Sequence, residues 1–347
     1  MRIAAIAASL PSRIVSNRDV LEIIEEESKD MFSGDLPDTL REIGFFLAYS
    51  GSAKRHWLRE GEQPLDFIRE AVEQSLAAAG ISKGAVDLII YTGIARGFME
   101  PANAYHIARA LGFKKAECFD VVDACMSWMR SIHLCEALFH RERYNNVLII
   151  NAEFNMTGGD AVLPRVFQLK NREELGWTFP AFTLGEAATA TLLCAEVGHP
   201  WEFHFASRPD LAELCNIPLK HYKGYCEPSD KIARNGENHF TSFGFELHRH
   251  ARTEASAIFR QLACPHSELT SVFTHASSKR DWDLMARDIG VHEKVRHVYP
   301  ETGNLGSASV PTAIAAATQS NALARGQKFA AWVGSAGMSF GVFAAEY

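Results

Sequence analysis

The sequence predicts an α/β protein made of two copies of one strand–helix unit. Three observations predict it. Short apolar runs alternate with amphipathic stretches along most of the 347 residues, which is the rhythm of strands separated by helices. The same order of elements occurs twice. In each copy, a strand leads through a tight turn into an apolar or Ala-rich helix.

The opening run at 3–8 is too short for a membrane span and lacks a convincing cleavage region, so it reads as a first buried strand. The acidic cluster at 22–30 reads as a solvated helix face. The first copy then has a helix at 65–79, a turn opened by Gly80, and a strand at 86–91. A helix at 103–111, a strand and turn ending at Cys125, a helix at 126–139 and a strand at 147–150 follow. The second copy has a helix at 252–263, a strand at 269–274 and a helix at 282–289. It continues with a turn at Gly303 and Asn304, a helix at 309–324 and a strand at 329–333. Strands alternating with helices imply parallel sheets covered on both faces. The two copies divide the chain into 1–190 and 191–347, and a period of about 170 residues is far too long for a solenoid.

Composition narrows the function. Apolar residues make up 47% and charged residues 22%, a globular balance. A net charge of −7, with no basic run interleaved with aromatics, argues against nucleic-acid binding. No stretch reaches the roughly 18 to 20 apolar residues of a membrane span. Seven scattered cysteines without a CxxC pair suit free thiols in a reducing compartment, hence the cytoplasm. No His/Cys spacing resembles a zinc site, so no metal is expected. His248 and His250 could share a metal only on a strand, and a solvated surface is the simpler reading.

Three positions carry the chemistry. Cys125 sits where an apolar strand turns into a helix, so the helix dipole should favour its thiolate. A buried structural cysteine is the ordinary alternative. His275 directly follows the strand at 269–274, at the end of a strand where α/β sites form. Asn304 lies between Gly303 and the small residues Gly306 to Ser309, which would let backbone approach a ligand. If the halves pack about a pseudo-twofold axis, equivalent turns face each other and the three residues share one site.

With those segments in place, the chain resembles the ketoacyl synthase III branch of the thiolase superfamily nearly end to end. The segments 119–125, 274–278, 303–311 and 334–341 resemble the family's nucleophile, histidine, asparagine and closing glycine segments, and 185–190 fits a middle small-residue motif more loosely. The resemblance implies a thiolase-like fold of two duplicated α/β halves in α-β-α-β-α layers. It implies Cys125, His275 and Asn304 as catalytic residues, with the backbone N–H groups of Cys125 and Ala336 as the oxyanion hole. It implies Phe45, Tyr49, Met156, Gly244, Ser278 and Gly306 at the substrate or pantetheine site. The substrate is expected to be an acyl-coenzyme A or acyl-carrier-protein thioester, with no metal or redox cofactor, in a homodimer. The expected activity is decarboxylative Claisen condensation through an acyl-cysteine.

Departures from the family pattern point to a specialised member. Ser278 replaces the asparagine of the histidine motif. Phe45 and Tyr49 stand where the bacterial fatty-acid enzymes place a tryptophan and an arginine, and Met156 replaces a second arginine. Lys54 and Arg55 could compensate at the nucleotide. Glu100 either enters the acyl pocket or faces solvent. Asp123 either raises the Cys125 pKa by repulsion or bonds a backbone amide. Competing readings are acyl transfer to an alcohol or amine, hydrolysis, and a silent partner subunit. Hydroxymethylglutaryl-type chemistry has no evident glutamate base in the sequence.

Overall fold

The structure, a computed structural model, describes residues 1–156, 161–195 and 201–347. The first part of the chain runs β1 (Arg2–Ser9), β2 (Arg13–Ser16), α1 (Asn17–Ser28), α2 (Leu36–Ser50), β3 (Lys54–Trp57), α3 (Pro64–Ala79) and β4 (Leu88–Thr92). Then come α4 (Asn103–Leu111), β5 (Glu117–Val121), α5 (Ser127–His140), β6 (Asn146–Glu153), α6 (Leu175–Thr178) and β7 (Ala187–Cys194). The remainder runs β8 (Glu202–Ser207), β9 (Cys215–Asn216), β10 (Thr241–Ser242), α7 (Gly244–Phe259), β11 (Leu269–Thr274) and α8 (Lys279–Ile289). It closes with β12 (Val295–Arg296), α9 (Tyr299–Thr302), α10 (Ser309–Gln319), β13 (Lys328–Ser335) and β14 (Ser339–Glu346).

Two five-stranded sheets carry the molecule, in the orders β1-β7-β6-β4-β5 and β8-β14-β13-β11-β12. Position by position the two orders match, so the repeat seen in the sequence is a repeat of topology. The expectation of wholly parallel sheets is corrected. β4, β5 and β6 pair in parallel, as do β11, β12 and β13, but β1, β7, β8 and β14 are antiparallel to their neighbours. β14 follows its partner β13 directly, and among the described residues the α-helix between β6 and β7 is the four-residue α6, so neither strand shows the helix–strand alternation of its half. The division placed at 190/191 passes through β7, and the chain changes sheet between Cys194 and Glu202.

Helices α5 and α10 lie between the sheets. Their apolar residues form one core with β1, β4 and β6 on one side and β13 and β14 on the other. α10 is buried on nearly every face, which its small residues permit (Ala313, Ala315 and Ala317 against both sheets). Helices α3 and α4 cover the outer face of the first sheet, and α7 and α8 that of the second. The result is five layers. α7 begins earlier than expected because Gly244 to Ala251 continue the helix, and residues 260–263 fall outside it. A further cluster packs α1, α2 and the antiparallel β2–β3 pair against residues 162–184 and roofs the site. Among the described residues no helix is long and apolar enough to cross a membrane.

Candidate active site

The turn after β5 is tied at both ends. The Asp123 carbonyl accepts from the Met126 N–H (2.9 Å), and the Asp123 N–H donates to the Ser127 hydroxyl (2.8 Å). Ala124 adopts a left-handed φ of 46°, a costly conformation for a residue with a Cβ. That twist sets Cys125 just ahead of the first residue of α5. Ser335 reaches over from the second half: its hydroxyl accepts from the Met126 N–H (3.2 Å) and lies 3.3 Å from the Asp123 carbonyl.

Asn304 is delivered with equal care. Its N–H donates to the Thr183 carbonyl (2.8 Å), and its carbonyl accepts from the Gly185 N–H (2.9 Å). This approach needs glycine at Gly185, where a Cβ would lie 2.0 Å from the Thr302 carbonyl oxygen. The Asn304 Oδ1 accepts from the Gly306 N–H at 2.9 Å, leaving Nδ2 available. His275 extends from the end of β11, its N–H bonded to the Trp332 carbonyl (3.0 Å). Its Nε2 lies 3.1 Å from Asn304 Oδ1, so by the hydrogen-bond network the imidazole proton sits on Nε2.

Cys125, His275, Asn304, Gly306 and Ala336 line one cavity of about 540 Å³. Burial pushes the Cys125 thiol pKa up, with Cys215 and Glu153 nearby adding to the rise. The N–H groups of Ala336 and of Cys125 itself hydrogen-bond the sulfur and oppose it. The expectation that the helix end would leave a ready thiolate is therefore corrected: burial of the thiol opposes its charged form. Burial also lowers His275 to about 4, with bonds to Asn304 and to the Gly334 backbone opposing and His248 adding to the fall. The imidazole is neutral at pH 7.

The binding residues divide. Gly244, Ser278 and Tyr49 line the cavity, and Ser278 also caps α8 by accepting from the Asp281 N–H (3.3 Å). Tyr49 is half exposed, with the Arg280 guanidinium 3.7 Å above its ring. Phe45 packs on Tyr49 from outside (5.6 Å between ring centres), while its neighbour Phe46 lines the cavity. Met156 is fully buried in the roof cluster, away from the cavity. Its apolar side chain partitions there while its N–H bonds Glu186 (3.0 Å).

Other expectations are also corrected. Arg55 is fully buried on the Val15 and Phe182 carbonyls, and Lys54 pairs with Glu301 (2.6 Å), so neither is a free cation for a nucleotide. Glu100 is exposed. The Asp123 carboxylate pairs with Arg130 (3.1 Å), and among the described residues no backbone amide donates to it. His248 and His250 lie on α7, not on a strand, two residues apart and hence on different faces. His248 lines the cavity, 3.9 Å from the Asp281 carboxylate.

Two carboxylate-bearing features escaped the sequence reading: that His248–Asp281 pair, and Glu153. Glu153 ends β6, lines the cavity and is 1% exposed. Burial raises its pKa while its hydrogen-bond donors pull the other way. The only sequence signal was a charge closing an otherwise apolar strand.

Comparison with known proteins agrees with this geometry. Residues 259–347 match the family described as 3-oxoacyl-[acyl-carrier-protein (ACP)] synthase III C terminal. The chain is 23% identical to a beta-ketoacyl-[acyl-carrier-protein] synthase III of Neisseria meningitidis, over 100% of this chain and 99% of that one. It is 21% identical to the protein of that name from Chlamydia caviae, over 97% and 94%. Xanthomonas campestris OleA with bound lauric acid and lauroyl-CoA superposes with a TM-score of 0.82 at 17% identity, over 99% of this chain and 98% of that one. The cerulenin-bound form of OleA superposes equally well, with a TM-score of 0.82 at 19% identity, over 99% and 96%. The chain thus resembles ketoacyl synthase III along its length, and its fold is thiolase-like, two duplicated α/β halves.

Proposed function

We propose that this protein is an acyl-thioester-dependent condensing enzyme that works through an acyl-cysteine. Cys125 attacks the carbonyl of an acyl thioester, and the N–H groups of Cys125 and Ala336 receive the developing oxyanion. The donor leaves as its free thiol, carrying the proton that Cys125 gives up. A malonyl-type thioester then enters, loses carbon dioxide and becomes an enolate. Asn304 Nδ2 donates to the enolate oxygen, and that oxygen competes with Asn304 Oδ1 for the His275 Nε2 proton. The enolate carbon attacks the acyl carbonyl, the carbon–carbon bond forms, and Cys125 leaves as thiolate and is reprotonated.

A neutral His275 suits this role, because it donates its proton without adding a buried charge. No group in the scheme needs a metal or redox partner. The observation that carries the reading is the convergence of Cys125, His275 and Asn304, from both halves, on one cavity whose backbone donors already touch the sulfur. The donors are acyl-coenzyme A or acyl-carrier-protein thioesters, and the enzyme acts as a cytoplasmic homodimer.

The departures at Tyr49, Met156 and Ser278 support a specialised rather than a housekeeping role. Efficient condensation of acetyl-coenzyme A with malonyl-carrier protein would sink that part. Acyl transfer to an alcohol or amine is the second reading, favoured by the His248–Asp281 pair in the same cavity, a second imidazole available as a base. Intact-mass measurement after incubation with a panel of acyl thioesters tests the first step. One acyl adduct per chain is expected, absent in Cys125→Ala; no adduct from any thioester would overturn the proposal.

A further inference from the structure

Glu153 is a buried carboxylate without a cation: among the described residues it makes no ion pair. Burying such a charge costs several kcal/mol. What holds it is a set of hydrogen-bond donors. The Ile94 N–H (3.1 Å) and the Asn155 Nδ2 (2.9 Å) donate to Oε2. The Ser307 N–H (3.2 Å) and the Ser307 hydroxyl both donate to Oε1. Ser307 is held from a second side by Asn151, whose Nδ2 donates to its hydroxyl (2.7 Å).

These bonds join the two halves. Glu153 and Asn151 end the central strand β6 of the first sheet, and Ser307 belongs to the Asn304 turn of the second half. Between Asn304 and Ser307 lies Gly306, with a left-handed φ of 55°. A Cβ there would sit 3.2 Å from Glu153 Oε1, so the carboxylate packs directly against the turn. The Gly306 N–H is the group that holds Asn304 Oδ1 and leaves Nδ2 toward the cavity.

We propose that Glu153 is a positioning residue that sets the orientation of the Asn304 amide across the junction of the halves. It thereby governs the carbon–carbon bond-forming step and not the loading of Cys125. The inference rests on the condensation reading. Cys125 and its two N–H donors stand on the β5–α5 turn and at Ala336; none of the hydrogen bonds of Glu153 reaches them, and its nearby charge acts on the thiol only by opposing the thiolate.

The test measures two steps separately on the full-length protein: acyl-adduct formation by intact mass, and condensation with a malonyl thioester by product formation. Glu153→Ala should lower the condensation kcat about 100-fold, the scale of losing one oxyanion donor, while adduct formation is unchanged or faster, because the carboxylate that opposes the Cys125 thiolate is gone. Glu153→Gln, which keeps an acceptor for Ser307, should recover most of the loss and stay within about tenfold of wild type. If Glu153→Ala does not fold, Ser307→Ala takes its place, with an expected loss of about tenfold confined to condensation. Parallel loss of both steps, or wild-type condensation in both the Ala and Gln variants, would overturn the proposal. A wild-type protein that loads but never condenses would instead count against the condensation reading.

Discussion

The two halves use the same crossover for different ends. In the first, β5 runs almost directly into α5, and Cys125 stands two residues before the helix. In the second, β12 and α10 are separated by α9 and a short turn at Gly306–Ala308, and Asn304 stands five residues before the helix. The direct version places a sulfur beside backbone N–H groups. The extended version sets an amide against an imidazole on the same cavity as that sulfur. On the proposed reading, one duplicated unit supplies a nucleophile from one copy and an enolate-stabilising donor from the other.

The difference can be broken from either side. Cys125→Ala should remove the acyl adduct and reduce condensation by about 10⁴-fold or more, measured by mass and product formation; an adduct that persists on Cys215, the second thiol of the cavity, would contradict this. Asn304→Ala should leave the adduct intact while lowering condensation roughly 10²- to 10³-fold. Equal damage to both steps in Asn304→Ala would erase the division of labour between the halves. Gly185→Ala forces a methyl group into the Thr302 carbonyl beside the Asn304 turn. It should cost about 2–4 kcal/mol in urea unfolding and lower condensation more than loading.

His275 offers a test through pH. Its folded pKa of about 4 lies below its ordinary value of 6.5. The unfolded chain therefore takes up the proton first, and stability falls as pH drops from about 6.5 toward 4. Between pH 7 and pH 4.5 this should cost on the order of 2 kcal/mol in wild type that a His275→Asn variant does not lose, read from urea unfolding at both pH values. The smallest effect is expected at the mouth. Arg280→Ala removes the cation over Tyr49, worth about 0.5–1 kcal/mol, and should raise KM for the thioester a few-fold at constant kcat.

What was legible in the sequence was whatever local chemistry writes into a short segment. The turns at Cys125 and Asn304, the histidine after β11 and the parallel strands between helices all carry such signals. The antiparallel strands β7 and β14 carried less, because nearly all their residues are buried on both faces and show no alternation. Glu153 was missed because its meaning depends on Ser307, more than 150 residues away. Met156 was expected at the ligand from the family resemblance, and Arg55 as a compensating cation. Their burial is decided by packing in the roof cluster and, for Arg55, by the Val15 and Phe182 carbonyls and the Ser52 hydroxyl, which no local pattern records. The raised Cys125 pKa had the same origin: the helix end is a local signal, but the burial of the thiol is a property of the whole fold.

The most direct measurement supplies acyl-loaded wild-type enzyme with a malonyl thioester labelled at its free carboxyl carbon and counts both products. One labelled carbon dioxide should appear for each new carbon–carbon bond, and the acyl group should leave Cys125 in the same turnover. Acyl groups passing from Cys125 to an alcohol, an amine or water, with the labelled carboxylate still in place, would contradict it.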